Sequence, residues 1–179
     1  RAEYPDGREQ WRKSDQTGNL YPDPDMRLRR YLGGGRLEQD GEWHCEYDAD
    51  GNLTERYLGT GRWLDGKKDR WRYRWNADGS LAKVVRPDKR EVEFTYDALG
   101  RRLSKSFGTT VTRWVWNGNV PLHQWKQHRE YSVVEDRWNT DTERRDMTVW
   151  LFDEESFVPV AMIKEGRSYS ILTDQLGTP

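Results

Sequence analysis

Residues 48–52 (DADGN) place two carboxylates next to a glycine, which is a pattern that could bind calcium. The helix-flanked calcium loop needs its glycine at position six and a bidentate glutamate at position twelve. Counted from Asp48, the glycine Gly51 is fourth and the twelfth residue is Gly59. A reverse turn between two strands explains the same residues, so we predict a turn here and no metal site.

The histidines and the lone cysteine are the next residues with suitable chemistry. His44, His123 and His128 have no ligand-like spacing with one another or with Cys45. A single cysteine also excludes an intramolecular disulfide. The glycine run 33–35 lacks the following lysine or helix start that a phosphate site needs. We therefore predict a protein that is not an enzyme and that binds no metal or cofactor.

Residues 70–75 (RWRYRW) alternate arginines with aromatic side chains. A groove for single-stranded nucleic acid would need both types on the same face. An extended strand puts alternate residues on opposite faces, so these arginines and rings cannot hold the same base. The net charge of −1 gives no general attraction for nucleic acid either. We predict no nucleic-acid partner, and we expect Glu91 and Glu93 on a nearby strand to pair with the arginines.

The elements that must position these residues are strands and turns. Residues 91–96 (EVEFTY) alternate polar and apolar side chains, as a half-buried strand does. Asp97 suits the start of a turn, and Gly100 suits the left-handed residue that closes a short hairpin loop with a bulge. No window shows a long apolar stripe with helical spacing, and no apolar run reaches the length of a membrane span. The prediction is an all-β antiparallel meander of consecutive hairpins.

The same aromatic, turn and glycine pattern recurs along the chain with variations. Each copy begins with an aromatic or polar strand residue, turns at Asp or Asn, and leaves the turn through glycine, often followed by leucine. We predict that the following residues form these repeated turns: Tyr31, Gly35, Tyr47, Asp48, Gly51, Leu53, Trp75, Asn76, Gly79, Leu81, Tyr96, Asp97, Gly100, Leu103, Trp116, Asn117, Asp174 and Gly177.

Ten Trp, nine Tyr and four Phe supply apolar area in large units, so we expect aromatic residues to build the core. The repeats favour a single region over residues 1–179. Its polar insertion at 126–146 is expected to form a protruding hairpin or a mobile loop. The chain starts at Arg1 and stops at Pro179 in mid-pattern, so we expect a piece of a longer polypeptide.

The turn copies resemble the YD repeats of the Rhs family, which centre on a Tyr-Asp pair followed by a Gly-Arg or Gly-Asn turn. Tyr47-Asp48 and Tyr96-Asp97 match directly, whereas Trp75 and Trp116 replace the tyrosine and are followed by asparagine. Residues 148–179 are similar to the segment near the end of an Rhs core. The resemblance implies a twisted, curved sheet that forms a section of a hollow shell. The family's Asp-Pro-x-Gly-Leu cleavage region and a toxin domain do not follow Pro179 in this sequence.

The resemblance also implies a function and partners. The shell of the family encloses and sequesters a toxic C-terminal domain, so the implied partners are the remaining Rhs shell and that toxin. Such proteins are made in the bacterial cytoplasm and exported by a dedicated secretion system, often type VI, in competition between cells. Two alternatives stay open: a tryptophan-rich carbohydrate-binding module, and an open-edged fragment that interacts or forms homo-oligomers through its sheet edges.

Overall fold

In the computed structural model, the protein consists almost entirely of β-strands and turns. The structure describes residues 2–3, 6–7, 9–59, 68–154, 156–174, 176 and 178. Within these ranges the one helical turn is the 3-10 turn Gly33–Gly35. Fourteen strands follow one another in an antiparallel sheet whose order is the sequence order, except that β15 branches from β14. The predicted all-β antiparallel meander is confirmed. No helix in the described part is long and apolar enough to cross a membrane.

The chain divides into two compact units, and the first contains residues 1–75 and 84–89. β1 pairs with β2 and β3 pairs with β4, while β5 to β9 pair in chain order. The strands of this unit are β1 (Ala2–Glu3), β2 (Glu9–Gln10), β3 (Lys13–Ser14), β4 (Leu20–Tyr21), β5 (Arg29–Tyr31), β6 (Leu37–Asp40), β7 (Trp43–Tyr47), β8 (Leu53–Leu58) and β9 (Lys68–Trp75).

The second unit contains residues 76–83 and 90–179, and β10 (Leu81–Val85) contributes residues to both units. β14 is the longest of the described strands. It pairs with β13 and β16, and its distal end pairs with β15. The remaining strands are β11 (Glu91–Tyr96), β12 (Arg102–Phe107), β13 (Thr110–Asn117), β14 (Val120–Ser132), β15 (Arg137–Thr140), β16 (Arg145–Phe152), β17 (Pro159–Lys164) and β18 (Arg167–Ser170).

The alternation in β9 produces the two faces that the sequence indicates. Its aromatic residues are half-buried and its arginines are exposed. The prediction that Glu91 and Glu93 pair with these arginines is wrong for Arg70. The Nε of Arg70 donates to Glu55 of β8 at 2.9 Å. β8 is the strand paired with β9, so it supplies the cross-strand carboxylate. Glu91 and Glu93 instead pair with Lys83, at 2.7 and 3.1 Å.

Few side chains are fully buried, and the buried set mixes aromatic and aliphatic residues. Tyr57 and Val84 are buried in the first unit, and Val111 and Trp125 in the second. Arginine guanidinium groups also stack on aromatic rings. The usual frequency of cation–π pairs in proteins would give about two in a chain of this size. Eight pairs lie within the described residues: Arg36–Tyr47, Arg56–Trp43, Arg86–Trp71, Arg90–Phe107, Arg102–Phe94, Arg102–Tyr96, Arg129–Trp138 and Arg144–Trp125.

Candidate functional site in the repeat corners

The turn at Asp97 shows how a repeat corner is built. The backbone N–H of Asp97 donates to the carbonyl of Arg101 at 3.0 Å, and the N–H of Gly100 donates back to the carbonyl of Asp97 at 3.0 Å. One carboxylate oxygen of Asp97 accepts the backbone N–H groups of Leu99 and Arg101, at 2.9 and 3.0 Å. The other oxygen accepts Nε of Arg101 at 2.7 Å. The aspartate therefore satisfies backbone donors that the tight loop leaves without a strand partner.

The same arrangement recurs at three other aspartates. Asp15, Asp48 and Asp174 each donate from the backbone to the carbonyl four residues on, at 3.1, 3.0 and 2.9 Å. Their carboxylates accept the backbone N–H of that same residue, at 2.9, 2.8 and 2.9 Å. Four corners with these distances form one structural motif, in which a carboxylate closes a loop of five residues.

The corner at Asn76 keeps the backbone geometry with different side chains. Its backbone N–H donates to the carbonyl of Ser80 at 2.9 Å, as in the aspartate corners. The amide of Asn76 bonds the hydroxyl of Ser80, and Asp78 accepts the backbone N–H of Ser80 at 2.9 Å. Leu32 also makes the backbone bond, to Arg36 at 2.7 Å, without a carboxylate. The backbone path is thus common to the corners, and the carboxylate reinforces it.

Other predicted turn residues differ from this motif. Asn117 pairs with Val120 across a two-residue loop that begins with Gly118, so this corner is tighter than the others. Phe152-Asp153 is a weaker copy of the pattern that lacks a glycine. The N–H of Asp153 donates to the carbonyl of Val158 at 3.3 Å, one residue further along than in the other corners. Gly177 lies outside the described residues. Leu53 and Leu81 begin β8 and β10, whereas Leu103 is the second residue of β12.

Hydrogen bonding at the corners lowers the pKa of the aspartates. Partial desolvation raises the pKa of Asp15, but bonds from Asn19 and Thr17 outweigh it and lower the pKa to about 2. The pKa of Asp48 is lowered chiefly by the backbone N–H of Asn52. The pKa of Asp174 is lowered chiefly by the backbone N–H of Thr178. The corners therefore bind the ionised carboxylate in preference to the neutral acid.

We expect acid to weaken the fold through these corners. The folded-state pKa of Asp15 lies below the value near 3.9 of an unfolded chain. The stabilisation from its ionised carboxylate is therefore fully present well above pH 3.9 and is lost as the pH falls towards about 2. The urea midpoint should fall between about pH 5 and pH 2, and a variant with Asp15, Asp48 and Asp97 changed to Asn should lose less over that range. Asp50→Asn, in the loop of Asp48, is the matched control and should keep the full pH dependence.

A glycine with a left-handed backbone leaves the corners at Asp15, Asp48, Asn76 and Asp97. Gly100 has φ +76°, and among the described residues a Cβ placed there meets no heavy atom within 4 Å. We expect Gly100→Val to lower the free energy of unfolding by about 1–2 kcal/mol through backbone strain alone. Gly100→Asn should lose less, because asparagine tolerates this conformation. Equal losses in the two variants, measured by urea denaturation, would contradict this explanation.

At five corners the aromatic residue before the corner makes a second contact, which ties its hairpin to an earlier one. In the first unit, the hydroxyls of Tyr31 and Tyr47 donate to the carbonyls of Leu20 and Leu37, at 2.6 and 2.8 Å. Nε1 of Trp75 donates to the carbonyl of Leu53 at 2.7 Å.

The second unit repeats this contact. The hydroxyl of Tyr96 donates to the carbonyl of Leu81 at 3.0 Å. Nε1 of Trp116 donates to the carbonyl of Arg102 at 2.8 Å. In all five cases the acceptor lies two residues after the glycine of an earlier corner. We call this set of five contacts the aromatic ladder.

The aromatic ladder was missed by the sequence reasoning, which assigned the aromatic rings to the core alone. A signal for it exists in the substitutions. Trp75 and Trp116 replace tyrosine but keep a polar hydrogen at the far end of the ring. Phe152 lacks such a donor, and its copy is also the one without a glycine. Retention of a donor in complete copies indicates a hydrogen bond and not packing alone.

The other candidate residues are not brought together as a chemical site. His44 stacks on Tyr57 with ring centroids 5.6 Å apart, and burial raises the pKa of the Cys45 thiol. Within the described ranges, no group of three or more His, Cys, Asp or Glu side chains could hold a metal ion. Arginine covers one face of Trp43 at 4.2 Å and of Trp138 at 4.3 Å, which limits stacking of a sugar on those faces.

Comparison with known families supports the repeat assignment. A model described as the teneurin YD-shell matches residues 13–179. The chain belongs to the teneurin YD-shell family. The predicted membership of the Rhs/YD-repeat group is thereby confirmed, and the repeat corners described above are corners of a YD-shell sequence.

Two curated relatives are similar to this chain over a small part of their own length. The probable deoxyribonuclease RhsB of Dickeya dadantii (strain 3937) is 27% identical over 105 residues, which cover 58% of this chain and 7% of that protein. The double-stranded DNA deaminase toxin A of Burkholderia cenocepacia (strain H111) is 30% identical over 117 residues, which cover 58% of this chain and 8% of that protein. The chain thus spans less than a tenth of either relative.

Proposed function

We propose that this chain is a non-catalytic section of an Rhs-type shell wall that encloses and sequesters a toxic domain. The observation that carries the proposal is the aromatic ladder. Because each contact joins a hairpin to the corner of an earlier hairpin, the repeat can be extended indefinitely without a new kind of interface. Such a unit suits a wall, which is extended by repeating the same contact. It does not suit a catalytic pocket, which needs side chains from different elements close together.

The two relatives support the same proposal from another side. One is named as a deoxyribonuclease and the other as a deaminase toxin, yet similar sequence to this chain occupies a small part of both. A segment shared by proteins with different named activities is best explained as a common scaffold. The activity then belongs to sequence outside the shared segment.

The proposal includes partners and a location. The partners are the remaining shell, which would cover the edges of the sheet, and the enclosed toxic domain. The assembled protein would leave the bacterial cell through a dedicated secretion system, for which type VI is our specific suggestion, and act in competition between cells. The toxin named in the Burkholderia relative supports this role for the longer polypeptide.

Limited proteolysis of the native polypeptide tests the enclosure. The protein would be isolated from its own cells with an antibody against residues 90–128 and treated with proteinase K, with and without urea. We expect sequence outside the YD-shell to survive in the folded protein and to be digested once urea opens the wall. Digestion of that sequence at the same rate under both conditions would exclude enclosure.

The non-catalytic part of the proposal needs a separate test. The purified 179-residue chain would be incubated with double-stranded DNA, and the DNA would be analysed for strand breaks and for deaminated bases. We expect intact DNA with unchanged sequence. Cleavage or deamination by the purified chain would overturn the assignment of this segment as scaffold.

A further inference from the structure

The distal end of β14 carries a hairpin that branches from the main order of the sheet. We call residues 129–140 the arm: the distal part of β14, a turn at 133–136, and β15. Among the strands that the structure describes, β15 pairs with β14 alone, so the arm is a two-stranded branch of the sheet. An isolated two-stranded hairpin is marginal in water, so the arm needs further contacts to hold its shape.

Arg129 provides an anchor at the base of the arm, and only 7% of this residue is exposed. Its backbone N–H donates to Thr109 at 2.8 Å, and its Nε donates to the carbonyl of Gly108 at 2.8 Å. Its Nη1 lies 3.3 Å from Glu93, and the guanidinium covers the ring of Trp138 at 4.3 Å. The base of the arm is therefore held in one position.

The far end of the arm is braced by its own side chains. Tyr131 and Trp138 face each other edge-on with ring centroids 5.5 Å apart, and the hydroxyl of Tyr131 bonds to Asp136. The carboxylate of Glu135 accepts Nδ2 of Asn139 at 2.6 Å and Nε of Arg137 at 3.1 Å. A turn held in this way loses little conformational entropy when a partner binds.

This braced end presents apolar surface to solvent. Val133 is 83% exposed and Val134 is 97% exposed, while Tyr131 and Trp138 remain 46% and 43% exposed. In a protein with few aliphatic residues, two adjacent and almost fully exposed valines, in the turn that joins the strands of Tyr131 and Trp138, form an exposed apolar patch. Such a patch is typical of an interaction surface.

The charge of the arm selects among the occupants that could cover this patch. Residues 129–140 carry three carboxylates and two guanidinium groups, but Arg129 is buried and pairs with Glu93, so the exposed part of the arm has a net charge of −2. The side chain of Glu130 is 82% exposed and lies 3.4 Å from His128. A second copy of the arm would bring like charges together, and an anionic lipid surface would repel it. A positively charged partner is attracted, and a cationic side chain also interacts favourably with an aromatic ring face that is open to solvent.

We propose that the arm docks a cationic, apolar polypeptide segment, with Val133, Val134, Tyr131 and Trp138 as the apolar contacts and Glu130 as the charge contact. An extended segment that alternates apolar and basic residues and lies along an edge of the arm fits best. Tyr131 and Glu130 are neighbours in β14 and lie on opposite faces of the arm, so one row of the segment meets the aromatic face and the other meets the face of Glu130. This inference is independent of the proposed enclosure, since it depends on the arm alone.

Fluorescence anisotropy of labelled peptides with the full chain tests the proposal. The probes are a peptide of alternating leucine and lysine and its counterpart of alternating leucine and glutamate. We expect the leucine–lysine peptide to bind about tenfold more tightly than the leucine–glutamate peptide, or better. We expect Val133→Ser with Val134→Ser to weaken that binding about tenfold, and Glu130→Lys to weaken it several-fold.

The control is Leu99→Ser, at a corner where the leucine is 74% exposed, and it should leave binding unchanged. Equal binding of the two peptides, or unchanged binding in the double serine variant, would overturn the proposal. Binding to phosphatidylcholine vesicles in place of the peptide would overturn it in favour of a lipid surface. Self-association in sedimentation that the double variant abolishes would overturn it in favour of a second copy.

Discussion

Trp116→Ala is expected to lower the free energy of unfolding of the second unit by about 2–3 kcal/mol. The substitution removes a half-buried indole and leaves the carbonyl of Arg102 without its donor at 2.8 Å. Trp116→Phe keeps most of the ring and removes only the donor, so it should lose about 1 kcal/mol. Urea denaturation followed by circular dichroism measures both values.

Trp114→Phe is the matched control for the aromatic ladder. Trp114 lies on the same strand, but its Nε1 donates to the side chain of Gln124 at 3.0 Å and not to a corner carbonyl. The glutamine side chain can turn to water when the donor is lost, so Trp114→Phe should lose less than Trp116→Phe. The importance of the ladder for stability would be contradicted if the two phenylalanine variants were equally stable.

Arg129→Met is expected to destabilise the second unit by about 2–3 kcal/mol and to release the arm. Methionine keeps apolar packing but leaves the carbonyl of Gly108 and one contact of Glu93 without a donor. Hydrogen exchange should show faster exchange at residues 129–140, because the remaining two-stranded branch is marginal by itself. Denaturation in urea gives the global loss, and exchange gives the local one.

Arg137→Met tests whether any arginine of the arm has this effect. Its side chain is 67% exposed and pairs with Glu135 within the same turn. An exposed ion pair of this kind contributes little, so we expect a change within about 0.5 kcal/mol and little change in exchange at Arg129. A loss equal to that of Arg129→Met would show that general charge, and not the buried anchor, stabilises the arm.

Local structure was predictable from the sequence because its causes lie within a few residues. The alternation in 91–96 indicated a strand, and β11 covers the same residues. Gly51, Gly79 and Gly100 were predicted at reverse turns from their place after Asp or Asn, and they have φ of +88°, +79° and +76°. A carboxylate that bonds amides two and four residues away needs no information from the rest of the chain.

Long-range partners could not be predicted in the same way. Arg70 pairs with Glu55 and not with the glutamates of β11, because the strand order and register decide which carboxylate lies beside it. Arg129 reaches Glu93 across 36 positions of sequence, and no local pattern marks that distance. These ion pairs depend on the order of the strands and on the register of their pairing. A change of register by one residue would bring different side chains together.

The sequence by itself determined the strands, their alternating faces and the corners, because backbone preferences and side-chain bonds over five residues or fewer specify them. The family was indicated by the ordered recurrence of those corners along the chain. Only the tertiary structure decided that each ladder ring donates to an earlier corner, 10 to 22 positions back. It also decided that one buried arginine anchors an exposed arm. Both results follow from the pairing of strands in space, which places donors and acceptors together that are distant along the chain.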